Sequence, residues 1–127
     1  MNVNECKKLI LGVALIMSMP FIRSVAVWND TKESIAVTFC AEETCDEYAY
    51  FQQLGEKECA HLAKDFEAGN KYIKISKAWY DTYLKPYLKI ESEYNMVVIS
   101  KVNGKYELKV DNKLDWQKVC KKNYWRF

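Results

Sequence analysis

One histidine, His61, stands in a chain of 127 residues. That scarcity removes the catalytic and metal-binding arrangements that need two imidazoles. No Gly-x-Ser-x-Gly elbow occurs, so the strand-turn-helix nucleophile of the α/β-hydrolases has no counterpart. No Cys-x-x-Cys occurs, which argues against both a redox dithiol and the tight knuckle of common structural zinc sites. No apolar run reaches the roughly 20 residues of a membrane-spanning helix. Glycine and proline are sparse, and beyond residue 26 only Gly55, Gly69, Gly104 and Pro86 punctuate the chain. No repeat or low-complexity tract is present.

A surplus of positive charge is also missing once the chain is divided. Lys7 and Lys8 precede an apolar run, Leu9–Met19, which ends at Pro20 and is followed by Ser24-Val25-Ala26. A basic start, a short hydrophobic stretch and a small-x-small site make an export leader, with cleavage expected after Ala26. Cys6 lies before the apolar run, the wrong side for lipid attachment. The leader holds Lys7, Lys8 and Arg23 against Glu5. Removing these from 19 basic and 17 acidic side chains leaves 16 of each in residues 27–127. A net charge of zero gives no reason to expect a nucleic-acid partner, which would call for a basic face. The expected organisation is a cleavable signal over 1–26 and one domain over 27–127. The product would be periplasmic or extracellular, with no stable membrane insertion after cleavage.

Four of the five cysteines lie beyond the leader: Cys40, Cys45, Cys59 and Cys120. An even number in a small exported domain points to two disulfides, with three pairings open.

Hydrophobic alternation dominates. Val25–Asn29 starts a strand that cleavage would trim. Ser34–Cys40 alternates as a half-buried strand, with Ile35, Val37 and Phe39 on one side. Tyr48–Gln53 and Lys71–Ser76 are further strands. Asn103-Gly104 signals a type I′ hairpin. Its register sets Val102 against Lys105, Lys101 against Tyr106, Ile99 against Leu108 and Val97 against Val110. Glu58–Glu67 fits a helix, through Cys59, Leu62, Ala63 and Phe66, as well as a strand through Cys59–Ala63. Lys77–Ile90 reads as a short helix or an aromatic loop broken by Pro86. Leu114–Cys120 reads as a last strand or turn. The fold class is mainly β: a small antiparallel β-sandwich with at most one or two short helices. The alternative is α+β, with one helix packed on an antiparallel sheet.

Among chemistry-bearing residues, aromatics lead. Trp79, Tyr80, Tyr83 and Tyr87 cluster in one stretch, and Tyr124 and Trp125 lie near the end. Tyrosine and tryptophan give large stiff contact area with a polar tip, and they serve interfaces well. They also fill β cores. An acidic loop, Ala41–Glu47, surrounds Cys45. Glu58, His61 and Asp65 would share a face if their segment were helical. Asn29-Asp30-Thr31 is an Asn-x-Thr glycan acceptor or an ordinary polar turn. No catalytic motif is complete, and no metal or cofactor is expected. The leading expectation is an exported, non-enzymatic binding module that contacts a protein or a glycan through aromatics. The alternatives are an inhibitor or immunity-type protein for a secreted enzyme, using the acidic loop, and a small secreted hydrolase.

Overall fold

The computed structural model describes residues 24–45, 48–63, 72–91 and 93–126. The leader's apolar run, Asp65 and the rest of the Glu58–Glu67 helix option beyond Ala63 lie outside the described residues. So do Asp46 and Glu47 of the acidic loop.

Nine strands and one helical turn are described. They are β1 (Ser24–Asn29), β2 (Ile35–Cys40), β3 (Tyr48–Leu54), β4 (Cys59–Ala63), β5 (Tyr72–Ser76), β6 (Tyr87–Lys89), β7 (Met96–Val102), β8 (Lys105–Val110), α1 (Trp116–Val119) and β9 (Asn123–Arg126). They form a five-stranded sheet, β8-β7-β1-β4-β9, and a four-stranded sheet, β3-β2-β5-β6. The two sheets pack face to face, so the mainly β sandwich expected from the alternation is the observed fold.

One side of each strand builds the shared core. Val25, Val27, Ala60, Leu62, Val97 and Ile99 come from the first sheet. Ile35, Val37, Phe39, Leu54, Ile73 and Ile75 come from the second. The hairpin forms in the expected register, Val97 opposite Val110 through Val102 opposite Lys105. Asn103 and Gly104 both have positive φ, 51° and 77°. That is the type I′ geometry, which matches the twist of the flanking strands.

Three features go beyond the alternation. First, the four-stranded sheet is antiparallel throughout, whereas the five-stranded sheet is mixed. β1 runs parallel to β7, and β4 parallel to β9. Second, β2 is buried on both faces, not half-buried as expected. Ala36, Thr38 and Cys40 on its outer side are buried, and the segment after β5 reaches β3, where the Gln53 amide donates to the Lys77 carbonyl at 3.0 Å. Third, the strand or turn expected over Leu114–Cys120 is a single helical turn, α1. Asp115 caps it by accepting from the Gln117 N–H at 3.0 Å, which satisfies one of the free donors at the start of the turn.

The segment left open between helix and strand is a strand over Cys59–Ala63. The boundary expected at Ala26–Val27 falls inside β1, whose Val25 and Ala26 are both buried.

Asn29 closes one corner of the sandwich. It is completely buried. Its amide nitrogen donates to the carbonyls of Glu33 at 2.8 Å, Leu54 at 3.1 Å and Gly55 at 3.1 Å. Its amide oxygen accepts from the Thr31 N–H at 3.1 Å and the Thr31 hydroxyl at 2.6 Å. One side chain thus ties the β1–β2 turn to the β3–β4 turn, and so one sheet to the other. The Asn-x-Thr triplet therefore serves the fold. A glycan on Nδ2 would displace donors that three carbonyls need.

Candidate functional site

The two disulfides pair Cys40 with Cys45 and Cys59 with Cys120. Each pins a covering segment to the outer face of a different sheet. The two faces carry different chemistry.

On the four-stranded sheet, the covering segments are the 77–86 loop and the acidic loop. Aromatic side chains of the 77–86 loop and of β3, β5 and β6 form two groups on this face. Phe51, which points outward from β3, stacks on Trp79 with ring centres 5.8 Å apart. Tyr80 meets Trp79 edge-on at 5.6 Å. Lys74, outward on β5, lies between two rings, its Nζ 5.4 Å from the centres of both Tyr83 and Tyr87. Tyr72 sits 6.3 Å from Tyr87. Trp79 and Tyr80 are 60% and 73% exposed, far more than their size requires if packing were their only role.

The acidic loop borders this face and helps to fix it. Cys45 takes a left-handed backbone conformation, φ 57°, and its N–H donates to the Glu42 carbonyl at 3.0 Å. The Tyr83 hydroxyl lies 3.3 Å from Cys45 Sγ and donates to it. The Tyr87 hydroxyl donates to the Glu43 carboxylate, and that acceptor holds the Tyr87 phenol above its ordinary pKa. Two features that are separate in the sequence, the Trp79–Tyr87 cluster and the Ala41–Glu47 loop, are therefore in contact through Tyr83 and Tyr87. Lys74, Phe51 and Glu43 had no individual signal in the sequence. Only strand parity marks Lys74, since it alternates with Ile73 and Ile75.

Tyr124 and Trp125 do not join them. They lie on β9, in the other sheet. Tyr124 turns inward against the core, with its hydroxyl donating to Glu58 at 3.3 Å. Trp125 turns outward and stacks on His61, with centres 3.8 Å apart and planes 13° apart.

His61 is the centre of the second face. It is fully buried on the outer side of β4, with Trp116 of α1 edge-on at 4.9 Å. Its Nε2 is 2.8 Å from the Asn123 amide oxygen. A neutral ring donates there, which leaves Nδ1 buried without a partner among the described residues. Desolvation depresses the His61 pKa below its ordinary value. A histidine held neutral by the fold stabilises it fully above the unfolded pKa of about 6.5, and loses that contribution as pH falls below it. The denaturation midpoint should therefore drop between pH 7 and pH 5, and the drop should shrink in His61→Phe. An unchanged slope in that variant would show that another group carries the dependence.

Of the hydrolase grouping, Asp65 lies outside the described residues, and Glu58 and His61 are engaged with different partners. Glu58 precedes β4, and its carboxylate accepts from the Gly55 N–H at 2.6 Å and from Tyr124. It serves the β3–β4 turn, where a Cβ on Gly55 would come within 2.9 Å of Glu58 Oε1. Among the described residues there is no group of three His, Cys, Asp or Glu side chains placed for a metal ion. An open groove of about 410 Å³ lies between the β1–β2 turn and the hairpin tip, lined by Asp30, Thr31, Lys32, Glu33, Lys101 and Gly104. Its polar groups are largely paired with one another. The Glu33 carboxylate takes the Tyr106 hydroxyl and the Lys101 ammonium, which together lower its pKa.

No family model matches the chain, and no curated protein or solved structure matches it either. Among the described residues, no helix is long and apolar enough to cross a membrane.

Proposed function

We propose that this chain is an exported, non-enzymatic binding module that contacts a protein or a glycan through the aromatic face of its four-stranded sheet. The observation that carries this reading is the grouping of exposed Trp79 and Tyr80 with Phe51, Tyr83 and Tyr87 on one scaffolded face. Rings fixed before binding lose little conformational freedom when they dock, so they give affinity at low entropic cost. Two disulfides support an oxidising compartment, periplasmic or extracellular. Balanced charge in residues 27–127 supports a partner other than nucleic acid.

The test is a triple substitution, Trp79→Ala, Tyr80→Ala and Tyr87→Ala. Parent and variant would be applied to a glycan array and to immobilised secreted proteins. Aromatic anchors at interface centres contribute about 2 kcal/mol or more each, so the variant should lose at least about 30-fold in affinity. Its unfolding temperature should change little, since these rings are exposed. A variant that binds every parental ligand equally well would refute the assignment.

The acidic loop favours a second reading, an inhibitor of a secreted enzyme. Glu42 and Glu43 are exposed on a short loop pinned by Cys40–Cys45, the form of a rigid inserted element. Adding Glu42→Lys and Glu43→Lys to the same binding experiment separates the two. Loss on charge reversal alone would select the inhibitor.

A further inference from the structure

We infer that the leader is removed on the amino side of Val25, at the Ser24–Val25 bond or upstream of it, and not at Ala26–Val27. This rests on the export reading above. The sequence favours the Ala26–Val27 bond, because Ser24 and Ala26 supply a small-x-small pattern. The fold opposes it.

That bond lies in the middle of β1, which is the central strand of the five-stranded sheet. Val25 is fully buried in the sandwich core and Ala26 is buried on the opposite face. Val25 pairs with Leu62, and Ala26 pairs with His61 on one side and Met96 on the other. The Ala26 N–H donates to the Asn95 carbonyl at 2.9 Å. A chain starting at Val27 would keep only three residues of β1. It would leave the facing backbone of His61 and Leu62 without a strand on that side, within the sheet interior.

Hydrolysis makes the problem worse. Water adds across the peptide bond, leaving a carboxylate on the leader and an ammonium on the new first residue. At Val27 that ammonium would sit at a fully buried position. Its neighbours across the sheet are Ala60, His61, Met96 and Val97, and none is an acid. An unpaired buried cation is strongly disfavoured. Val25 is as deeply buried as Val27, so only cleavage upstream of Ser24, which is partly exposed, avoids this cost in full. Cleavage at Ser24–Val25 differs from cleavage at Ala26–Val27 in keeping the pairings of Val25 and Ala26. Ser24 also supplies the small residue that a signal peptidase takes on the carbonyl side of its bond.

The test is to express the full chain in an exporting host, recover the exported product without reduction, and determine its first residue by intact mass and N-terminal sequencing. A first residue at Val25, or at any position before it in a shortened chain, supports the inference. A product beginning at Val27 overturns it while leaving export in place. Full-length chain retained inside the cell with free thiols overturns the export reading, and the inference with it.

Discussion

Asn29→Asp should lower the stability of the domain by about 3–5 kcal/mol, the range for leaving a buried charge unpaired. The substitution changes almost no volume. It replaces two N–H donors with an oxygen at the point where the carbonyls of Glu33, Leu54 and Gly55 converge. An ionised aspartate would face three acceptors, with no cation among the partners of that side chain. A protonated one would supply one donor for three carbonyls. Thr31 would still donate to the remaining oxygen. Since native domains are stable by only about 5–15 kcal/mol, a loss of this size would consume a large part of the total. Thr31→Val supplies the scale. It removes one hydroxyl from the same corner and should cost about 1–2 kcal/mol. Urea denaturation followed by tryptophan fluorescence measures both. If Asn29→Asp proved no worse than Thr31→Val, the corner would not join the sheets as described.

The second large effect concerns the disulfides, which should not be equal. Cys59–Cys120 spans 61 positions and Cys40–Cys45 spans 5. A crosslink restricts the unfolded chain more when the loop it closes is longer. On that argument, replacing Cys59 and Cys120 by alanine should cost about 4 kcal/mol, and replacing Cys40 and Cys45 about 2 kcal/mol. Their local consequences should differ as well. The long bridge holds the α1 segment over Trp28, Met96 and His61, so its loss should shift tryptophan emission in the native state. The short bridge positions the loop that Tyr83 and Tyr87 contact, so its loss should weaken ligand binding at the aromatic face before it unfolds the domain. Equal costs, or the reverse order, would mean that local packing and not chain entropy sets the contribution of each bridge.

Much of the sandwich was legible because its signals are local. The Asn103-Gly104 turn and the residues beside it fixed a register that the structure reproduces pair for pair. Ile35, Val37 and Phe39 identified the inner side of β2 by simple alternation. What was illegible depended on distant partners. Cys59, Leu62 and Ala63 satisfy a helical stripe and a strand equally, and the choice is made by β1 and β9 pairing on either side. The disulfide pairing follows from that same arrangement, which brings Cys120 over Cys59. Asn29 looked like a surface sequon because an Asn-x-Thr triplet carries no mark of burial.

The candidate site divides in the same way. The clustering of Trp79, Tyr80, Tyr83 and Tyr87 was visible from spacing alone. The acidic loop beside them was visible too, but not its adjacency, which needs β2 to pair with β5 and the Cys40–Cys45 bridge to fold the loop back. Trp125 reads like its neighbour Tyr124 in the sequence. Strand parity sends one outward onto His61 and the other inward.

The two parallel pairings have a consequence for when this domain can form. β1 is the first described strand to be synthesised, yet one of its neighbours is β7, and β4 waits for β9 at the far end of the described residues. Non-local pairing of this kind closes large loops before any contact rewards them, and it folds slowly. The four-stranded sheet can pair once β6 has been made, but the five-stranded sheet cannot close until β7 and β9 have followed, so the sandwich gains its second layer late.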